Sequence, residues 1–120
     1  MKTLLLFLFF CAVANAQDKP IGNFEHRYFT DPAYDGFSFG QIFTLQLNQD
    51  NTYVLIEDIE NDVLAEPTKI IGSYTYNERI LTLQTPTIRT FKVNKKMTKL
   101  KAVQKTEAFG NKIREIYIKK

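Results

Sequence analysis

Short runs of alternating apolar and polar residues recur along this chain, and turn-forming segments separate them. The clearest run is Phe37–Leu47, in which one face carries Phe37, Phe39, Phe43, Leu45 and Leu47, interrupted only by Gln41. Because successive side chains of a strand point to opposite faces, this pattern predicts a half-buried β-strand. No segment shows a convincing helical period. The chain is therefore expected to be all-β.

We predict seven strands joined by short connections. They cover Phe37–Leu47, Thr52–Glu57, Lys69–Tyr76, Ile80–Gln84, Ile88–Val93, Leu100–Gln104 and Ile113–Ile118. Asn23–Thr30 is a candidate eighth strand, Asp31–Gly36 a loop, Asn48–Asn51 a turn and Val63–Glu66 a candidate short turn. Sequential pairing gives an antiparallel meander, which forms either a half-barrel or a small closed barrel without exposed edges. A barrel of about eight strands holds either packed side chains or one small ligand.

The first sixteen residues have the three parts of a secretory signal peptide. Lys2 supplies a positive start, Leu4–Val13 an apolar run, and Ala14–Ala16 a small-residue cleavage site. The run has about 10 residues, whereas a membrane-spanning helix takes about 20. We therefore expect residues 1–16 to be removed, with no transmembrane segment afterwards. Residues 17–120 are expected to form one exported domain, periplasmic or secreted.

Several short patterns occur together between Gly22 and Val93. They are Gly22–Phe24, Phe43–Tyr53 (FTLQLNQDNTY), Gly72–Tyr74 and Ile80–Leu83 (ILTL). In these the chain resembles the bacterial lipocalin-like proteins, small exported meander barrels. The resemblance implies a lipocalin-like barrel in which Phe24 takes the place of the usual tryptophan. It also implies that a basic residue of the last strand, Arg114, packs on that ring.

Charge is distributed unevenly along the expected mature chain. Residues 17–88 contain four Lys or Arg against eleven Asp or Glu, whereas residues 89–120 contain eleven against two. Alternation predicts that two sets of side chains lie on opposite faces of the strand around Leu100. One face carries Lys99, Lys101 and Lys105, and the other carries Leu100, Ala102 and Gln104. These three lysines are candidate ligands for an anionic surface or a protein partner. Two structural alternatives are that lysines keep exposed strands and sheet edges soluble, and that basic strands face acidic ones across the barrel. The aromatic spacing of nucleic-acid-binding sheets is absent, so no nucleic acid is expected.

Residues that would support catalysis are few. The one cysteine, Cys11, lies in the expected signal peptide, which leaves no disulfide, thiolate or cysteine metal site. His26 is the one histidine, and we interpret it as a surface or strand residue, because Ser38 and Ser73 lie outside any nucleophile motif. The stretch Glu57–Asp62 lacks the spacing and the glycine of a calcium loop, so we interpret it as a solvated connection. We therefore expect that the protein is not an enzyme and that it has no metal site and no cofactor.

The sequence thus predicts an exported, non-enzymatic binding protein that holds a small apolar ligand in its barrel. Gln41 would orient the ligand, and the expected lining is Phe37, Phe39, Gln41, Phe43, Tyr53, Tyr74 and Phe91. The alternative is an interaction module with a solid core that binds an anionic or protein partner through its basic C-terminal strands.

Overall fold

A computed structural model of the chain describes residues 19–30, 40–60 and 66–120. These residues contain ten β-strands: β1 Gly22–Phe29, β2 Gly40–Leu47, β3 Thr52–Glu60, β4 Thr68–Asn77, β5 Ile80–Leu83, β6 Arg89–Val93, β7 Lys99–Ala102, β8 Thr106–Ala108, β9 Asn111–Ile113 and β10 Ile116–Lys119. Within the described ranges there is no helix, and hence none long and apolar enough to cross a membrane.

Eight strands close into an antiparallel barrel in the order β1-β10-β7-β6-β5-β4-β3-β2. The antiparallel meander is as predicted, the closed barrel is the one of its two predicted forms that is present, and β1 is the eighth strand. The barrel closes where β10 pairs with β1, with Phe24 opposite Lys119 and Glu25 opposite Ile118. β8 and β9 form a separate two-stranded hairpin within the connection from β7 to β10.

The alternate residues of the eight strands that point inward form the core. The fully buried side chains include three tyrosines, two phenylalanines and five leucines, which are Tyr53, Tyr74, Tyr117, Phe24, Phe91, Leu45, Leu47, Leu81, Leu83 and Leu100. Phe43, Leu55, Val93 and Ala102 complete the cluster. Removing this apolar area from water is the main stabilising contribution to a barrel of this size.

Polar residues set the tight turn between β2 and β3. The backbone N–H of Thr52 and its hydroxyl both donate to Asp50, and the Asn48 side-chain amide donates to Thr52 Oγ1. Asn51 adopts a left-handed backbone with φ 68°, a conformation that asparagine tolerates better than most residues. The turn predicted at residues 48–51 is therefore present.

The C-terminal strands differ from their predicted bounds. β7 ends at Ala102 instead of Gln104, and the predicted strand Ile113–Ile118 is divided between β9 and β10. The unpredicted β8–β9 hairpin turns at Phe109 and Gly110, which both have positive φ. The division at residues 114–115 lets β9 pair with β8 while β10 pairs with β1 and β7.

Two further expectations are corrected by the strand positions. The stretch Glu57–Asp62 is not simply a solvated connection, because β3 continues through Glu60. Phe24 is fully buried but lies opposite Lys119, whereas Arg114 is exposed between β9 and β10, so the register does not bring Arg114 to the Phe24 ring.

Some predictions concern parts of the chain outside the described residues. These are the signal peptide at residues 1–16, the loop at 31–36, residues Phe37 and Phe39, and most of the turn near Val63–Glu66.

Candidate functional site

One end of the barrel carries the longer connections. β1 and β2 meet there at Phe29 and Gly40, and β3 and β4 meet there at Glu57 and Thr68. Residues 84–88 and 103–115 connect the other strands at the same end. We call it the long-connection end. The opposite end has the turns at residues 48–51, 78–79 and 94–98.

Inward-facing polar side chains gather at the long-connection end. Glu115 is 2% exposed and lies just before β10. Its carboxylate accepts three hydrogen bonds, from Arg89 Nη2 at 2.6 Å, Thr106 Oγ1 at 2.9 Å and the Tyr117 hydroxyl at 2.8 Å. This buried carboxylate is therefore compensated by one positive charge and two hydroxyl donors, as a charge removed from water requires.

His26 continues the same polar group on the neighbouring strand. Its Nδ1 lies 3.2 Å from the amide nitrogen and from the carbonyl oxygen of Ile116, and its Nε2 lies 3.2 Å from the Gln41 amide nitrogen. The ring also contacts those of Phe43 and Tyr117, at centroid distances of 5.7 and 5.4 Å. His26 is 4% exposed, so it is a buried strand histidine and not a surface residue.

Burial and charge shift the pKa values of these groups in different directions. Burial lowers the pKa of His26, opposed by the nearby Glu115 charge. Burial alone would raise the pKa of Glu115, but the Arg89 hydrogen bond and charge, helped by Tyr117 and Thr106, hold it below its usual value. Burial raises the pKa of Tyr117 well above normal, which keeps its hydroxyl a donor.

Glu57 lies beside this cluster and differs from Glu115 in having no hydrogen-bond or ion-pair partner among the described residues. It points inward from β3, is partly buried, and makes no hydrogen bond or ion pair within the described part of the chain. Burial raises the pKa of its carboxyl, with the Arg89 charge opposing the rise and Glu115 adding to it. The cluster thus holds two carboxyls and one guanidinium.

A cavity of about 150 Å³ opens next to Glu57. Its walls are mainly apolar, and Glu57 and Arg89 are its two charged residues; the full lining is Tyr53, Leu55, Glu57, Ile70, Leu83, Pro86, Thr87 and Arg89. It lies where β4 no longer pairs with β5, since that pairing begins at Tyr74 and Leu83. A second cavity of about 240 Å³ shares Thr87 and Arg89 and extends towards Lys105 and Thr106.

The predicted ligand-binding residues are distributed over the whole core. Tyr53 lines the first cavity and Phe91 the second. Phe43 contacts the His26 ring, and the Gln41 amide contacts Nε2 of that ring. Tyr74 belongs to the opposite end, where its hydroxyl donates to Asn48 O at 2.6 Å. The role of this set in ligand binding stays a prediction.

The three predicted anion-binding lysines do not all lie on one strand. Lys99 and Lys101 are exposed on the outer face of β7, with Leu100 and Ala102 buried between and after them. Lys105 lies beyond the end of β7, where Gln104 is also exposed. Of the three lysines, only Lys99 and Lys101 therefore lie on one face of the same strand.

Sequence reasoning missed Arg89, Glu115 and Glu57 as members of a site, although the alternation contains a signal for each. Arg89 is in phase with the buried Phe91, Glu115 with Tyr117, and Glu57 with Leu55. A charged residue in phase with buried neighbours at a strand end is thus a candidate interior group.

The chain matches no protein-family model, no curated protein sequence and no solved structure at a significant level. Within residues 19–30, 40–60 and 66–120, no three His, Cys, Asp or Glu side chains are grouped so that they could hold a metal ion.

Proposed function

We propose that this protein is a non-enzymatic binding protein that holds a small molecule at the long-connection end of its barrel. The ligand has an apolar body and a head that donates hydrogen bonds, best a protonated amine. The apolar body occupies the cavity of about 150 Å³, and the head reaches the Glu57 carboxyl.

The observation that carries this proposal is the contrast between the two interior carboxyls. Glu115 has three donors, whereas Glu57 has none among the described residues and borders the cavity. Burial opposes ionisation of the Glu57 carboxyl and so raises its pKa. A ligand head that donates a hydrogen bond to Glu57 would stabilise the ionised carboxylate.

Charge favours an amine over an acid as the head. Arg89 already pairs with Glu115 at 2.6 Å, and burial lowers the pKa of His26, which favours its neutral form. When Glu57 is ionised, the cluster therefore carries one uncompensated negative charge. A cationic head balances it, whereas an anionic head adds repulsion.

The cavity volume limits the apolar body. An apolar cavity of about 150 Å³ is large enough for a benzene ring. Typical pockets for larger ligands measure about 300–1,000 Å³. The fitting body is thus one ring or a short branched chain.

Two observations support ligand binding by an exported protein, the barrel architecture and the N-terminal sequence. A closed eight-stranded meander is consistent with a lipocalin-like protein, and binding inside a barrel of this size is typical of that architecture. The sequence of residues 1–16 supports export. Mass spectrometry of the protein recovered from an exporting host should give a chain beginning at Gln17; a retained N-terminus would contradict the export part alone.

Calorimetric titration with three probes of one shape tests the binding part. Benzylamine, benzyl alcohol and toluene share the ring and differ in the head. We expect benzylamine to bind most tightly, with a dissociation constant of about 0.1–1 mM for a ligand of this size. Glu57→Gln should weaken benzylamine about tenfold, the loss of one hydrogen bond to a charged group, and leave toluene unchanged.

Neighbouring residues of β4 provide a matched steric control. Ile70 lines the cavity, whereas Ile71 points outward and is 64% exposed. Ile70→Phe should fill the cavity and abolish binding of all three probes, and Ile71→Phe should not alter it. Benzylamine affinity that is insensitive to both Glu57→Gln and Ile70→Phe would refute the proposed site.

A further inference from the structure

The outer face of β6, β7 and β10 carries lysine and isoleucine side chains in register. Lys92 lies directly opposite Lys101, and Lys101 lies opposite Ile116. In the adjacent row, Lys99 lies opposite Ile118. The three lysines are exposed and line a shallow depression of about 200 Å³. We call these five residues the basic face.

The lysines of the basic face are close together and, in the described part of the chain, have no carboxylate partner. Residues directly opposite in an antiparallel pair have Cβ atoms about 4.5–5.5 Å apart, and like charges there repel. None of the ion pairs among the described residues includes Lys92, Lys99 or Lys101. Glu25, which lies opposite Ile118 on β1, pairs with Lys120 at 2.7 Å.

Barrel closure argues against edge protection as the reason for such a lysine cluster, and the outward direction of the side chains argues against pairing across the barrel. Lysines often protect exposed sheet edges, but β6, β7 and β10 each have a paired strand on both sides. Basic strands could instead face acidic ones across the barrel, but these side chains point outward. An external anion would relieve the repulsion between the neighbouring lysines of the basic face.

We infer that the basic face binds the surface of an anionic phospholipid bilayer, which goes beyond the proposed ligand site. Lipid phosphates would neutralise the lysines. Ile118, which is 50% exposed, and Ile80, which lies opposite Lys92 and is 37% exposed, would contact the apolar part of the interface. Nucleic acid fits less well, since these positions carry isoleucine and not the aromatic rings on which bases stack.

Co-sedimentation with vesicles tests this inference. Vesicles of one part phosphatidylglycerol to three parts phosphatidylcholine should bind the protein, and pure phosphatidylcholine should not. The triple variant Lys92→Gln, Lys99→Gln, Lys101→Gln should bind the anionic vesicles about a hundredfold more weakly, from about fivefold per lysine near a charged membrane. Raising the salt from 50 to 500 mM should weaken wild-type binding steeply.

A matched variant separates the position of the charges from their number. Lys69→Gln, Lys105→Gln, Lys112→Gln removes three exposed lysines from outside the basic face and should bind nearly as the wild type does. Both variants keep the same N-terminus, so any effect of Leu4–Val13 on vesicle binding cancels, and circular dichroism confirms their folding. Equal losses in the two variants, equal binding to neutral vesicles, or tighter binding to a single-stranded DNA than to the vesicles would each overturn the inference.

Discussion

Replacement of Arg89 by methionine tests how the barrel tolerates charge in its interior. Methionine keeps most of the volume beside the Phe91 ring, over which the guanidinium carbon lies 5.5 Å from the centroid. It removes the one cation of the described residues that pairs with Glu115, whose side chain is 3% exposed. The carboxylate would keep only the Thr106 and Tyr117 hydroxyls as donors.

The expected loss follows from that geometry. Removing one partner of a buried ion pair costs about 3–5 kcal/mol, because the other charge is left buried and unpaired. Two hydroxyl donors remain and the Arg89 side chain is 22% exposed, so we expect the lower value, about 3 kcal/mol. With a urea slope of about 1.5 kcal/mol/M, the unfolding midpoint at pH 7 should fall by about 2 M.

The double variant Arg89→Met, Glu115→Gln decides whether the unpaired charge is the cause. The glutamine amide has nearly the shape of the carboxylate and no charge, so the double variant should regain most of the lost free energy of unfolding. Urea unfolding of both variants and the wild type, followed by circular dichroism, gives the comparison. A double variant as unstable as the single one, or a single variant within 1 kcal/mol of the wild type, would refute this explanation.

Two further predictions concern pH and close packing. Because burial lowers the pKa of His26 below the unfolded value of about 6.5, the unfolded state takes up the proton first, and the free energy of unfolding should fall as pH decreases from 6.5 to 5. His26→Gln should reduce this fall, measured as the difference between the thermal midpoints at pH 7 and pH 5. The raised pKa of Glu57 acts in the opposite sense, but Glu57 is present in both proteins, so its effect cancels in the comparison. An equal pH dependence in the variant and the wild type would contradict the prediction. Gly72→Ala should cost about 2 kcal/mol in urea unfolding, because a Cβ there would lie 2.0 Å from Thr85 O and 2.8 Å from the Tyr53 ring; a neutral result would show that the Thr85 segment moves freely.

The hairpins of the barrel could be predicted because local chemistry determines them. Alternation placed β2, and the side chains of Asn48, Asp50 and Asn51 made the following turn recognisable. The turn at Glu78 and Arg79 is less typical, because both residues adopt positive φ although neither is glycine or asparagine. Its position could still be predicted from the strands on either side.

The interior charges could not be predicted from strand alternation alone. In Glu115–Ile118, hydrophobicity favours the isoleucines as the buried face, but Glu115 and Tyr117 are buried and Ile118 is 50% exposed. This arrangement is stable because Arg89, more than twenty residues earlier, meets the Glu115 carboxylate. A pairing between distant strands decides which face is buried, and a single sequence does not reveal that pairing.

Methyl nuclear magnetic resonance of the protein during titration with benzylamine tests the proposed ligand site. We expect saturable shifts to concentrate in Leu55, Ile70 and Leu83, which line the cavity beside Glu57, and Glu57→Gln to need about tenfold more benzylamine for the same shifts. Shifts confined to the outward-facing Ile71 and Ile118, or an unchanged spectrum, would contradict that site.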